Sequence, residues 1–166
     1  MVDPGELSFA PLTEPELAWF VEVRNSVRQF LHDPRAFTVA EARDWFPQTP
    51  NRYYVIRWRG QKIGYFRTLV HDAQPRSMVI GADIALEYQG RGLATRAYAA
   101  FMRLVADNQS IDCFQLEVRS DNARALHLYE KLGFRVVGRD RTAPSSEVAN
   151  IRMELRSAQL SGTGAE

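Results

Sequence analysis

The chain of 166 residues is 45% hydrophobic and 25% charged, with a net charge of +1. That is enough chain for one domain with a real core, and it excludes a disordered tract or a strongly basic nucleic-acid or membrane-surface module. One cysteine, Cys113, excludes an internal disulfide and suits a reducing, cytoplasmic compartment.

The opening "MVDPGELSF" is acidic and broken by Pro4 and Gly5, so it does not resemble a secretory leader. No apolar run approaches membrane-spanning length. "ELSFAPL" alternates and predicts a first strand. Thr13 with Glu16 makes a capping-box pattern, and Leu17, Phe20, Val21 and Arg24 then follow helical spacing. A second box, Thr38 with Glu41, opens the short helix "VAEARDWF", stopped by Pro47. "RYYVIRWRG" and "QKIGYFRTLV" predict a hairpin turning at Arg59-Gly60. "RSMVIGADIAL" is more continuously apolar and predicts a central strand buried on both faces.

After Gly92, the positions Leu93, Ala97, Phe101, Leu104 and Val105 fall on one helical face. "DCFQLEV" is another strand. "SDNARALHLYEKLGF" is a compact helix capped by Asn122, with Ala125, Leu126, Tyr129 and Leu132 as its inner stripe and Gly133 as its stop. "FRVVGRDR" and "EVANIRMEL" close the chain as strands around a loop with Pro144. The expected order is β-α-α-β-β-β-α-β-α-β-β, an α/β fold with a mixed sheet and helices on both faces. A single domain over residues 1–157 is expected, with 158–166 as a flexible tail.

The chemistry concentrates in "LEYQGRGLATRAY", residues 86–98. A strand leading into Gly-x-Gly and a helix collects free backbone N–H groups at a positive helix end, an anion site. A tight turn with no ligand has the same local sequence. A Rossmann turn would need a third glycine where Thr95 stands, and a P-loop would need Gly-Lys-Ser/Thr.

The pattern Gln89-x-x-Gly92-x-Ala94 resembles the acyl-CoA pyrophosphate loop of the GNAT acetyltransferase superfamily. "LEVRSDNARALHLYEKLGF" resembles that family's second signature, in the right order and at the right separation. The resemblance implies a GNAT-like, mostly antiparallel sheet and an acetyl-CoA-dependent N-acetyltransferase that forms no covalent acyl-enzyme. It implies cofactor contacts from Ala82, Ile84, Gln89, Gly90, Arg91, Gly92, Leu93, Ala94 and Thr95, with an oxyanion met by N–H groups between Ala82 and Ala85. It also implies that Asn122 contacts the pantetheine arm.

Acetyl transfer to an amine needs a free amine and a protonated leaving group, because aliphatic ammonium groups have pKa values near ~10.4. Glu117 alternates with Leu116 and Val118, so it can face a cleft, and it matches the base of ribosomal-protein alanine acetyltransferases, which this stretch resembles. A plain salt bridge is its other reading; Asp83 and Glu22 are further carboxylate candidates. Tyr129 matches the family's catalytic tyrosine and would protonate the leaving thiolate; a core tyrosine is the alternative. Cys113 is expected to be a buried thiol. His32, His71 and His127 show no metal spacing, His127 should lie on the outer helix face, and no metal is expected.

The acceptor falls to the N-terminal third. Arg24-Asn25 and Trp45-Phe46 resemble the corresponding segment of acetyltransferases acting on nucleotide-linked amino sugars, which implies a small-molecule amine. Core packing is the other reading of Trp45 and Phe46. A peptide N-terminus is the alternative acceptor, and a non-catalytic CoA-binding module the alternative function. A monomer or homodimer is expected, with no nucleic acid or membrane partner.

Overall fold

The computed structural model describes residues 6–163. The segment 1–5, with Pro4 and Gly5, lies outside the described residues, as does the end of the expected tail from 164 onward; residues 157–163 form 3-10 turns. The described chain divides into two compact units.

The first unit comprises the chain up to Leu69 together with Gly81–Ala97. It begins with β1 (Leu7–Pro11), followed by a 3-10 turn (Glu14–Glu16) and α1 (Leu17–Ser26). The Glu16 carboxylate accepts from the Thr13 N–H at 3.0 Å, as the capping-box pattern predicts. The second box is also formed: the Thr38 hydroxyl accepts from the Glu41 N–H at 3.2 Å and opens α2 (Val39–Trp45).

β2 (Arg52–Trp58) and β3 (Gln61–His71) pair antiparallel about Arg59-Gly60. Both turn residues have positive φ, 50° and 79°, which matches the right-handed strand twist. The core here gathers Leu17, Phe20, Val21, Tyr53, Val55 and Tyr65.

The second unit comprises Val70–Ile80 and the chain from Tyr98 onward. The first half of β4 (Ser77–Ile84) pairs parallel with β5 (Cys113–Arg119), Ser77 opposite Cys113. β5 pairs antiparallel with β7 (Ala149–Arg156), and β7 with β6 (Arg135–Arg141). The seven strands hydrogen-bond in the order β1-β2-β3-β4-β5-β7-β6, which puts β4 in the middle, where its apolar run belongs.

α3 (Leu93–Gln109) buries Leu93, Ala97, Phe101 and Val105 as expected. Leu104, placed on that stripe by sequence, is instead 45% exposed. The buried face is centred on Phe101 and extends to Tyr98 and Met102, so Leu104 falls at its edge. α4 (Ala123–Leu132) starts where the Asn122 side chain accepts from the Ala125 N–H at 3.2 Å. It stops at Gly133, whose φ of 102° a residue with a Cβ adopts only under strain. The observed element order is the one the sequence predicts.

Candidate active site

The glycine turn follows β4 through a 3-10 turn, Leu86–Tyr88. The Gln89 side chain donates to the Ile84 carbonyl at 2.9 Å and fastens the turn to the strand's end. Gly90 and Gly92 both have positive φ, 75° and 73°. Alternating them with ordinary residues points successive N–H groups toward one side, an arrangement that binds anions. Arg96 makes the first bond back into the helix, to the Gly92 carbonyl at 3.3 Å. The N–H groups of Leu93, Ala94 and Thr95 therefore form the first turn, which has no partner within the helix.

A Cβ built on Gly92 would meet nothing within 4 Å, so the space above the turn is open. Arg91 is exposed, its guanidinium 5.6 Å from the Tyr88 ring. Open space, first-turn N–H donors and a positive helix end fit a diphosphate.

Upstream in the same unit, Asp83 projects from β4 beside β3. Its carboxylate accepts from the Tyr65 hydroxyl at 2.5 Å. Burial raises the Asp83 pKa, against the hydrogen bond from Tyr65 and the charges of Arg67 and Arg24, which lower it. Burial also drives the Tyr65 hydroxyl well above its ordinary value and the Tyr53 hydroxyl up to about 12. Phe20 lies 4.5 Å from Tyr65 and 5.2 Å from Tyr53 between ring centroids, and Trp45 lies 5.4 Å from Tyr53.

Sequence reasoning ranked Asp83 below Glu117 and passed over Tyr65. The signal was present: an aspartate inside "MVIGADIAL" is a charge in an apolar run, which usually marks a buried, perturbed carboxylate.

Arg24 and Asn25 are occupied with the chain's own backbone. The buried Arg24 guanidinium donates to the carbonyls of Arg35 and Asp33, and lies 4.2 Å from the Phe37 ring. Asn25 donates to the Phe37 carbonyl at 2.8 Å and accepts from its N–H at 3.0 Å. The two side chains pin the segment between α1 and α2. Phe46 packs against the core cluster, and Trp45 is 39% exposed while stacked on Phe20.

In the second unit, Tyr129 is half-buried on α4, its hydroxyl 3.3 Å from that of Tyr98. The Tyr98 and Phe134 rings meet it nearly edge-on and hold the phenol's direction. Glu117 is exposed on β5, between buried Leu116 and Val118 and opposite Arg152 of β7. Glu22 is exposed on α1 and His127 on α4. Cys113 is buried at the start of β5, and burial pushes its thiol pKa up, so it is a poor nucleophile.

The described residues include no helix long and apolar enough to cross a membrane.

The family model for GNAT acetyltransferases matches residues 20–134. Spermidine N(1)-acetyltransferase of Escherichia coli (strain K12) is 34% identical over 87 residues, 52% of this chain and 47% of the relative. Mycothiol acetyltransferase of Propionibacterium freudenreichii subsp. shermanii is 31% identical over 147 residues, 82% of this chain and 46% of the relative. The chain thus spans about half the length of these curated relatives. In fold it is similar to the Vibrio cholerae spermidine N-acetyltransferase solved with CoA and spermine, with a TM-score of 0.80 at 20% identity, covering 94% of this chain and 98% of that one. The family match covers most of the chain and takes in both the glycine turn and the Asn122-to-Gly133 helix: the chain belongs to the GNAT family of acetyltransferases.

Proposed function

We propose that the protein transfers an acetyl group from acetyl-CoA to the primary amine of a small molecule, by direct attack and without a covalent acyl-enzyme. The observation that carries this is the turn from Gly90 to Thr95, with two left-handed glycines, a helix N-terminus and open space above Gly92. The acyl-CoA pyrophosphate is the anion this turn suits.

The roles follow the family pattern residue by residue. Backbone N–H groups from Gly90 through Thr95 take the pyrophosphate, with Gln89 and Arg91 bracketing it. Backbone groups of Ala82 and Ile84 meet the thioester and pantetheine, and Asn122 meets the pantetheine arm. A neutral amine attacks the thioester carbon, the carbon–nitrogen bond forms and the carbon–sulfur bond breaks. Tyr129 supplies the thiolate with its proton, and the proton that the amine nitrogen sheds on becoming an amide restores the phenol. No cysteine step is needed. The single domain expected from sequence is retained as part of this reading.

The narrower expectation of a nucleotide-linked amino sugar rested on Arg24, Asn25, Trp45 and Phe46. The first two bind the chain's own backbone, Phe46 packs against the core and Trp45 stacks on Phe20, so the acceptor class stands at small amines.

The test is CoA release from acetyl-CoA across amino sugars, amino acids, polyamines and peptides with free N-termini. Turnover of a small amine supports the reading. Turnover of peptides alone would move it to a protein N-terminal acetyltransferase. Acetyl-CoA binding with no CoA released to any amine would reduce it to a CoA-binding module.

A further inference from the structure

The face of β2, β3 and β4 under α1 and α2 carries two opposite charges side by side. Tyr65 and Arg67 are two residues apart on β3, so they share a face. Tyr53 of β2 pairs with Arg67. On β4, Gly81 and Asp83 are likewise two apart and share a face, about 7 Å from each other. A Cβ at Gly81 would lie 3.5 Å from Nη2 of Arg67, so the Arg67 guanidinium lies over Gly81, one pleat from Asp83.

Asp83 is half-buried, with one carboxylate oxygen committed to the Tyr65 hydroxyl. Arg67 is exposed and makes no ion pair among the described residues. The charged and titratable groups facing Asp83 are Tyr65 and Arg67 of β3 and Arg24 of α1, with Tyr53 of β2 beside them. Arg24 is already spent on the carbonyls of Asp33 and Arg35. The rings of Phe20, Tyr53, Tyr65 and Trp45 form an apolar wall beside the charges.

We infer that the acceptor is an amine that also bears an anionic group, its ammonium received by Asp83 and its anion by Arg67. This deepens the proposed acetyltransferase reading and rests on it. One positive and one negative group suit a ligand that carries both. A polyamine would set its further ammonium groups against Arg67 and Arg24, a repulsion the single carboxylate does not offset.

Asp83 then has a chemical task as well. A proton passes from the ammonium nitrogen to the free Asp83 oxygen, which leaves a lone pair to attack the thioester. The second nitrogen proton leaves after attack and balances the departing thiolate as thiol. The raised pKa of Asp83 makes it a better proton acceptor than an ordinary aspartate. In this assignment Asp83, rather than Glu117, is the base.

The anion can be a carboxylate or a phosphate, and the test separates them. CoA release is measured with methionine, glucosamine 6-phosphate, glucosamine and spermidine for the wild type, Arg67→Gln, Arg67→Lys, Asp83→Asn and Tyr65→Phe. Acetyl-CoA-induced thermal stabilisation of each variant shows that it is folded and binds cofactor.

Methionine or glucosamine 6-phosphate should exceed the two other amines at least about tenfold in kcat/KM. Arg67→Gln should raise KM for the preferred substrate about tenfold, and Arg67→Lys should recover part of it. Asp83→Asn should lower kcat about 100-fold and remove the acidic limb of the pH profile. Tyr65→Phe keeps the carboxylate and should shift that limb to higher pH, because a hydrogen bond that favours the charged form is lost.

Preference for spermidine or glucosamine, turnover of none of the four, or an Arg67→Gln protein with its preference intact overturns the inference while acetyl-CoA binding still holds. A wild type that neither binds acetyl-CoA nor releases CoA overturns the proposed function with it.

Discussion

Tyr129 is the sharpest residue-level test of the proposed chemistry. Tyr129→Phe removes one hydroxyl and almost no volume, so the rings of Tyr98 and Phe134 keep their partner. If that hydroxyl protonates the thiolate, kcat falls about 100-fold while KM for acetyl-CoA changes little, as steady-state kinetics would read. A full-rate variant would leave Tyr129 a packing residue. Gly92 poses the complementary question. At a φ of 73°, alanine costs roughly 1–2 kcal/mol in backbone strain, and valine more. Gly92→Ala should therefore lower Tm and also raise KM for acetyl-CoA, because the methyl enters the space open above the turn. A lowered Tm with unchanged KM would show strain alone. The sequence displayed the glycines and the tyrosine because both sit in short, contiguous motifs. It did not display the pairing of Tyr65 with Asp83, which joins residues on two strands and depends on register. Arg24 and Asn25 were opaque for a related reason: their hydrogen-bond partners are backbone groups of residues 33–37, which side-chain identity does not announce.

At the scale of elements, helix boundaries were well written in the chain. Thr38 with Glu41, Asn122 and Gly133 each mark a terminus by local chemistry that operates within a few residues. Thr38→Ala should cost about 1 kcal/mol by the usual value of a cap. In a chain of this length that lowers Tm by about 2–4 °C, measurable by calorimetry. No change would mean that α2 is held by Ala42 in the core and Phe46 against it rather than by its cap. Leu104 shows where periodicity falls short. Its helical angle fits an apolar stripe, but which arc of α3 is covered depends on the neighbouring elements, and they turn the buried face toward Tyr98 and Met102. Strand order has the same character: β7 lies between β5 and β6, a swap that no local pattern encodes.

For the molecule as a whole, Glu6 illustrates how charge distributes where the net charge is only +1. Its carboxylate accepts from Arg59 at 2.8 Å and from Arg96 at 2.6 Å, tying the hairpin turn and the start of α3 to the segment before β1. Hydrogen bonds from Arg96 and then Arg59 lower its pKa to about 2. A carboxyl held below its ordinary value favours the folded state above the unfolded pKa, and that advantage disappears as pH falls through the folded one. Glu6→Gln should thus lower Tm at pH 7, with the gap closing between about pH 4.5 and pH 2. In 1 M salt the gap at pH 7 should shrink, because Arg59 is exposed and Glu6 and Arg96 are only half-buried, within reach of screening ions. A gap that persisted at pH 2 would point to packing instead. The central claim, that the turn from Gly90 to Thr95 receives acetyl-CoA, is met most directly by titrating the isotopically labelled protein with acetyl-CoA and following its backbone amide resonances. The account predicts that the amides of Gly90 to Thr95 show the largest shifts, with the glycine signals moving as hydrogen bonds form to phosphate. Saturable binding that leaves those amides in place would contradict it.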